Sequence, residues 1–506
     1  METSIRVIFN TIVLYIKVIL SLVIALVSVP LVLRALGASD YGLYNLVAGV
    51  IAMLAFLNNS MTVSSQRFMS VAMGVNNEDK INIIYNTSFL LHLFLGVVVV
   101  LVFEIIGSFA IEKLNIPIER IWCANVIFQF LLLSTFVKIL SVPFDALINA
   151  KEDLLAFSII ELIDSILMLV VAISIPFVSG DRLIFYALSV TLISFLSFFM
   201  KYAWCKKAYK NYSIELLKYR GKFYIKEMLG FTGWTLFGGL AVIARNQGVA
   251  VIINIFLGTI ANAAYGIANQ INGAIGNFSS TFQKAINPQL MKSEGMNDRS
   301  RLVRISYISS KFSVLALAFF SVPLILEMDE VLFLWLKDDI PPFTMRLAQC
   351  IIVFSIIYQY SVGIMSAIQA TGKIRNYQIV MGTILLMNVP AAYLILKLGY
   401  PVYYTTLVFV ALEVVSLLAR LLMATKLAGM NIKTFFNEVI VPTLVIIFIP
   451  TLVVLIPYFS INQSILRLVL VSSIYGILYV VLMYRFAFDQ NQKELIISRI
   501  THLFKR

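Results

Sequence analysis

Histidine and cysteine are almost missing from this chain: of 506 residues, two are His and three are Cys. Cys123, Cys205 and Cys350 fall at or within different hydrophobic segments and form no CxxC pair. That pattern indicates neither a disulfide framework nor a cysteine zinc site and leaves them as packing residues. His92 and His502 are too few and too isolated to ligate a metal, so no metal is expected, and His92 reads as a structural residue on an apolar helix. A nucleotide-binding GxxxxGK[ST] loop is also missing; "TGK" at Thr371 to Lys373 has no glycine at the required upstream spacing. Neither a Ser-His-Asp nor an HExxH arrangement occurs, and the predicted outer loops are too short for a catalytic domain. These absences favour a carrier over an enzyme. Its energy would come from an ion gradient, the membrane potential or removal of product, with no cofactor.

Charge is scarce as well, at 13% of residues, whereas 60% are hydrophobic. The apolar residues come in windows of about 20, the length that crosses a bilayer as a helix. They predict an all-α polytopic membrane protein of about fourteen transmembrane helices, including spans at 9–33, 41–64, 230–257, 260–283, 438–458 and 465–486. The first run follows Arg6, exceeds a signal-peptide core in length and lacks a small-x-small cleavage site, so it is expected to be retained. An even number of spans puts both termini on one side. Placing them in the cytoplasm assigns most of the Lys and Arg to inner segments, as the positive-inside rule requires.

The net charge of +13 is thereby read as orientation and attraction to anionic lipid, not nucleic-acid binding. The inner loop "CKKAYKNYSIELLKYRGKFYIKE" from Cys205 to Glu227 is expected to lie on the membrane surface as an amphipathic linker. The outer loop from Glu327 to Phe343 carries five acids and one Lys and is expected to be solvated. Lys201, near a helix end, is expected to snorkel to the interface.

The two halves resemble each other. One offset of 221 residues superposes Leu36-Gly37 on Leu257-Gly258, Tyr44 on Tyr265, and "GVNN" from Gly74 on "GMND" from Gly295. Six helices per copy means parallel repeats related by an axis along the membrane normal. The expected division is an N-terminal lobe at 1–204 (helices 1–6), a basic cytoplasmic linker at 205–226, a C-terminal lobe at 227–427 (helices 7–12), and helices 13–14 with a cytoplasmic tail at 428–506.

Polar side chains in lipid are expensive, so their angular distribution marks the protein-facing side of a helix. Asn10, Lys17, Ser21 and Ser28 form one stripe on helix 1. Tyr41, Asn45 and Asn59 align on helix 2, and Asn262, Tyr265, Asn269 and Asn272 on helix 8. Arg245 lies on helix 7 in line with Trp234, Gly238 and Ala241, while Asn246 and Gln247 turn away toward helix packing. Close small-residue packing would give similar stripes. Because helices 1, 2, 7 and 8 hold equivalent places in the repeats, a hydrated central cavity is expected. Glu161 and Asp164 on helix 5, Lys138 on helix 4, and Glu413 and Arg420 on helix 12 are further membrane charges. Each costs roughly 2.5–3.5 kcal/mol at the bilayer centre if unpaired, so some are expected to pair with one another.

The segments "LGASDYGLYNLV" (Leu36 to Val47), "LNNSMTVSSQRFMS" (Leu57 to Ser70), "FLGTIANAAYGIANQI" (Phe256 to Ile271) and "FQKAINPQL" (Phe282 to Leu290) resemble bacterial Wzx-type O-antigen and polysaccharide-repeat flippases. Those proteins belong to the multidrug/oligosaccharidyl-lipid/polysaccharide (MOP) exporter superfamily. The resemblance implies a MATE/MurJ-like fold of two six-helix lobes plus two helices, in the bacterial cytoplasmic (inner) membrane. It implies translocation of an undecaprenyl-diphosphate-linked oligosaccharide for surface polysaccharide, O-antigen or capsule. Membrane lipids and the polysaccharide polymerase machinery would be further partners, with proton or Na+ coupling.

A lipid-linked glycan has a diphosphate that seeks Arg and Lys, and sugars that seek amides, hydroxyls and aromatic faces. Arg245 and Lys17 are therefore expected to bind the anionic head, and Tyr44, Asn59, Tyr265, Asn269 and Asn272 to contact sugars or water. Asp164, with Glu161, is expected to take the coupling ion. For Arg245 the alternative is a salt bridge to an acid such as Asp164 or Glu413. A drug or metabolite antiporter, or a lipid II flippase, of the same superfamily is the alternative function; the antiporter sits less well with a cationic cavity. A membrane polymerase or ligase would show a large basic outer loop, which this chain lacks.

Overall fold

The computed structural model describes residues 3–52, 55–113, 116–216, 218–219, 221–337 and 340–488. All its regular elements are helical. The first half contains α1 (Thr3–Leu36), α2 (Ala38–Ala52), α3 (Ala55–Gly74), α4 (Glu78–Lys113), α5 (Ile121–Ala150), α6 (Leu154–Ser174) and α7 (Arg182–Ala208). A long run, α8 (Lys222–Gly295), leads into α9 (Arg299–Leu326), α10 (Met328–Leu336), α11 (Thr344–Thr371), α12 (Arg375–Leu386), α13 (Asn388–Lys397) and α14 (Tyr403–Ala428). A single turn, α15 (Ile432–Phe435), precedes α16 (Val441–Ser460) and α17 (Ile465–Phe486).

Twelve helical stretches are long and apolar enough to cross a membrane among the described residues. One of them is α8, whose 74 residues would run about 110 Å if straight, against a hydrocarbon core of about 30 Å. It is broken at Gly258, where φ is 77° and ψ −171°. The limbs 222–257 and 259–295 are thus separate crossings, and α2 and α3 account for the described residues of the predicted span at 41–64. The chain is a multi-pass membrane protein. Leu26, Phe94, Ile255 and Phe459 stand exposed on outer faces, where lipid rather than water meets them.

The 221-residue register recurs in the backbone. Gly37 and Gly258 both have positive φ, 82° and 77°, a conformation that costs a side-chain-bearing residue about 1–2 kcal/mol. Neither has a neighbour that a Cβ would strike, so backbone conformation alone calls for glycine there. Asn76 and Asn297 are left-handed too, at 53° and 55°. The next residue in each copy then caps a helix: Asn77 Oδ1 accepts from the Lys80 amide and Asp298 Oδ1 from the Arg301 amide, both at 2.9 Å.

The chain divides into two compact units, 1–239 with 287–297, and 240–286 with 298–506. In the first, α5 packs against α3, α4 and α7, and α1 against α6. Phe144 of α5 meets Tyr85, Phe89, Phe198 and Tyr202 edge-on. Lys201 does not snorkel: it is buried and pairs with Asp145 at 2.8 Å. A helix-end position permits snorkelling, but a carboxylate one helix away offers a stronger partner than headgroup water.

Within the linker, residues 211–215 are not helical. The Asn211 and Ser213 carbonyls accept from Asn82 and Asn86 at 2.9 and 2.8 Å. The Glu215 amide donates to Asn86 Oδ1 at 2.7 Å. Two buried amides of α4 thereby hold the backbone of a largely exposed, non-helical strap. The repeat mate of Asn86 is Tyr307, and its hydroxyl engages the Asn431 backbone at 3.0 Å in the same way.

In the second unit α11 packs between α9 and α14. Gly363 is required there, because a Cβ would lie 2.0 Å from the Ser306 carbonyl. The helices α16 and α17 dock firmly on α9: the buried Tyr479 hydroxyl donates to the Leu315 carbonyl at 2.8 Å. Arg467 pairs with Glu327 at 2.9 Å. Glu327 and Glu330 are therefore buried rather than solvated, with Glu330 accepting from Gln463 at 3.2 Å. Loop composition pointed to water; the partner cation and amide, about 135 residues downstream, were beyond any local pattern.

Candidate functional site

The strongest concentration of membrane-embedded polar groups in the second unit gathers around Arg245. The limb of α8 before the Gly258 break supplies Arg245 and the limb after it Tyr265; α11 supplies Phe354, Tyr358 and Ser361; α14 supplies Phe409, Glu413 and Arg420. Arg245 is 8% exposed. Its guanidinium carbon lies 5.0 Å from the centroid of Phe354 and 5.0 Å from that of Phe409. The two rings meet edge to face with centroids 5.8 Å apart, forming a corner. Cation–π contact of this kind contributes about 2 kcal/mol or more when desolvated.

Asn246 does not turn away into packing. Its Oδ1 accepts from Arg245 Nε at 3.0 Å and so fixes the guanidinium fork. Among the described residues the Nη groups of Arg245 have no hydrogen-bond acceptor, and no carboxylate lies within 4 Å.

Glu413 is claimed by Arg420. The two form a buried ion pair, and the same Arg420 nitrogen donates to Ser361 Oγ at 2.8 Å. Arg420 also lies 5.7 Å from the Tyr358 ring centroid. Two guanidinium groups and one carboxylate leave one positive charge in excess. Tyr265 adds a second vacant donor: the residue is 3% exposed and its hydroxyl has no hydrogen-bond partner. A buried cation and hydroxyl without protein acceptors form a site suited to an anion, whose oxygens would complete both.

Two amides of the predicted stripe are occupied. Asn269 Nδ2 donates to the Tyr265 carbonyl one turn back at 2.9 Å, and Asn272 Oδ1 accepts from Ser355 at 2.5 Å. Both stand on the limb that carries Tyr265.

The first unit holds the other predicted residues. Lys17 of α1 is paired with Glu161 of α6, and one turn on, Ser21 and Ser165 approach to 3.3 Å. Asp164 accepts from Ser197 at 2.7 Å through Oδ2, while its buried Oδ1 has no partner. Tyr44 packs edge-on against Tyr186 at 4.8 Å. Asn59 lies outside the residues whose side chains are described. Lys17, Glu161 and Asp164 thus share one helix pair.

Helical periodicity put Arg245 and Tyr265 on protein-facing stripes but gave no sign of the aromatic corner, because Phe354 and Phe409 come from helices more than 100 residues from Arg245. The i,i+4 spacing of Phe354 and Tyr358 was the available signal.

The helices define the fold of a polytopic transporter of the MATE type. No protein-family model matches the chain, and no curated protein matches it. Solved structures do. An outward-facing multidrug resistance MATE family transporter of the MOP superfamily superposes with TM-score 0.75 at 14% identity, covering 85% of this chain and 96% of that one. A MATE transporter in the bent conformation gives 0.75 and 14%, over 85% and 97%. A MOP superfamily transporter from Pyrococcus furiosus, described as having a binding pocket of reverse polarity that suggests a different function, gives 0.74 and 14%, over 85% and 98%.

Proposed function

We propose that the chain is a membrane flippase that moves an undecaprenyl-diphosphate-linked oligosaccharide across the bacterial cytoplasmic membrane for surface polysaccharide synthesis, by alternating access of two lobes. The observation that carries this reading is Arg245: a buried guanidinium with an aromatic corner, an amide fixing its Nε, and no carboxylate of its own. A planar cationic fork with vacant donors matches two phosphoryl oxygens better than a cationic drug. Tyr265, with its spare hydroxyl, extends the same donor set. The Pyrococcus furiosus transporter, described as having reverse pocket polarity that suggests a different function, is a precedent for another function on this fold. Lobes at 1–204 and 227–427, cytoplasmic termini and inner-membrane residence belong to this reading. So do Lys17, Tyr44, Asn59, Asn269 and Asn272 as contacts along the path.

Asp164 is the proposed coupling site, with Glu161 beside it. The free buried oxygen of Asp164 can take a proton or coordinate Na+, and Glu161 exchanges its Lys17 partner as the helix pair α1–α6 moves. The same free carboxylate oxygen, together with the multidrug transporters among the structural neighbours, favours the second reading, an ion-coupled drug or metabolite antiporter. A lipid II flippase would share the cationic site.

Deleting the gene separates these. The flippase reading expects lipid-linked repeat units to accumulate in the inner leaflet, surface polysaccharide to disappear and cells to survive. Unchanged polysaccharide with heightened drug sensitivity favours the antiporter, and loss of viability favours lipid II.

A further inference from the structure

Lys138 stands on the side of α5 turned away from lipid. At about 100° per residue it lies about 180° from Gln129 and about 140° from Leu133, both exposed on the outer face. Ile127, Leu131, Ser134 and Val142 on its own side are buried, yet Lys138 is exposed. The ammonium therefore borders accessible space on the inner side of the helix.

The contacts between α5 and α7 fix its level. Ser134 meets Ser194 at 2.8 Å, and Asp145 accepts from Lys201 at 2.9 Å. Lys138 is bracketed between them, level with residues 194–201 of α7, and from that stretch Ser197 donates to Asp164 of α6 at 2.7 Å. Lys138 and Asp164 thus share a level and lie within each other's electrostatic reach. Measured from the end of α5 at Ala150 and the start of α6 at Leu154, both lie about 15–18 Å deep, near the middle of a hydrocarbon core of about 30 Å.

The charges around this level match. On α1, α5, α6 and α7 stand the cations Lys17, Lys138 and Lys201 and the carboxylates Asp145, Glu161 and Asp164. Lys17 takes Glu161 and Lys201 takes Asp145. Lys138 and Asp164 are left over, neither with an ion-pair partner within 4 Å among the described residues. Asp164 Oδ1 is buried without a hydrogen-bond partner.

We propose that Lys138 is a tethered counter-ion of Asp164 and fixes the proton, not Na+, as the ion this carboxylate exchanges. The inference rests on the reading of Asp164 as the coupling site. Asp164 offers Na+ one vacant oxygen, since Oδ2 is engaged by Ser197. An alkali cation needs several oxygens to replace its hydration shell, so its affinity for such a site is low. A proton needs one oxygen and binds it tightly. The ammonium on the neighbouring helix competes with both at the high local concentration a tether gives. That competition drives out the weak ligand and leaves the strong one. When a proton from water neutralises Asp164, Lys138 loses its counter-charge, and the accessible space it borders lets water hydrate it. Lys138 is in this sense a specificity-determining residue.

The test is binding of radiolabelled Na+ to the full-length protein in nanodiscs, at constant ionic strength and mildly alkaline pH. Wild type should show no saturable site that Asp164→Asn removes. Lys138→Met and Lys138→Gln should each gain one, tightening Na+ binding by about tenfold or more, and Asp164→Asn added to either should abolish it. Lys138→Arg, which keeps the tethered charge, should behave as wild type. Saturable Na+ binding in wild type that Asp164→Asn removes overturns the proposal. So does the absence of any gain in Lys138→Met and Lys138→Gln proteins that melt at the wild-type temperature. Transport driven by a pH gradient tests the coupling reading separately: undiminished transport in Asp164→Asn overturns that reading, whatever the Na+ titration shows.

Discussion

Glu413 is paired with Arg420 and not with Arg245, although both guanidinium groups lie within its electrostatic reach. The sequence left two partners open for Arg245, a phosphate or a carboxylate, and this pairing occupies one of the two carboxylates named for it. Asp164 belongs to the other unit and is engaged by Ser197. Arg245→Ala and Arg245→Lys should both lower transport of a lipid-linked diphosphate by roughly tenfold to a hundredfold at equal expression, since Lys keeps charge but loses the fork. Adding Glu413→Gln should rescue neither. Recovery in the double variants, measured by transport of labelled lipid-linked oligosaccharide into proteoliposomes, would assign Arg245 to a salt bridge.

The Glu413–Arg420 pair should be structural. Removing one partner strands a buried charge, a loss of about 3–5 kcal/mol. Glu413→Ala should therefore lower the melting temperature and yield of the purified protein sharply. Replacing both residues together by apolar residues of similar size should be milder than either single change. Thermal unfolding in detergent reads the difference.

Phe354 and Phe409 form the corner under the guanidinium. Leu at either position keeps apolar volume but removes the ring quadrupole, worth about 0.5–2 kcal/mol. Each change should weaken binding of an undecaprenyl diphosphate probe by roughly twofold to thirtyfold, beyond what its drop in melting temperature accounts for. Equal loss of stability and binding would make the rings simple packing.

Gly37→Ala and Gly258→Ala should each cost roughly 1–3 kcal/mol, because both put a Cβ on a positive-φ backbone without any clash. Parallel drops in melting temperature would match the repeat. A large drop at one position only would break the equivalence.

How far the sequence was legible follows a physical divide. The register of 221 residues was visible because backbone demands leave local marks. A positive φ asks for Gly37 or Gly258, and a helix start asks for Asn77 or Asp298, whichever copy they stand in. The 74-residue run could be cut correctly because a bilayer limits span length. Partners were not legible. That Lys17 takes Glu161, that Lys201 takes Asp145 and that Glu327 waits for Arg467 are facts of tertiary proximity across many residues, which no periodicity encodes. The same holds for the aromatic corner. Glu152 had no signal at all, since an acid between Lys151 and Asp153 in a short loop reads as solvated until Gln289 and Lys292 are folded onto it.

The most direct measurement compares equilibrium binding of undecaprenyl diphosphate, undecaprenol and a cationic dye to the wild-type protein and to Arg245→Ala in nanodiscs. The account predicts that wild type prefers the diphosphate over the neutral alcohol by at least about tenfold and that Arg245→Ala abolishes this preference. Undiminished preference in Arg245→Ala, or a wild type that favours the dye, would contradict it.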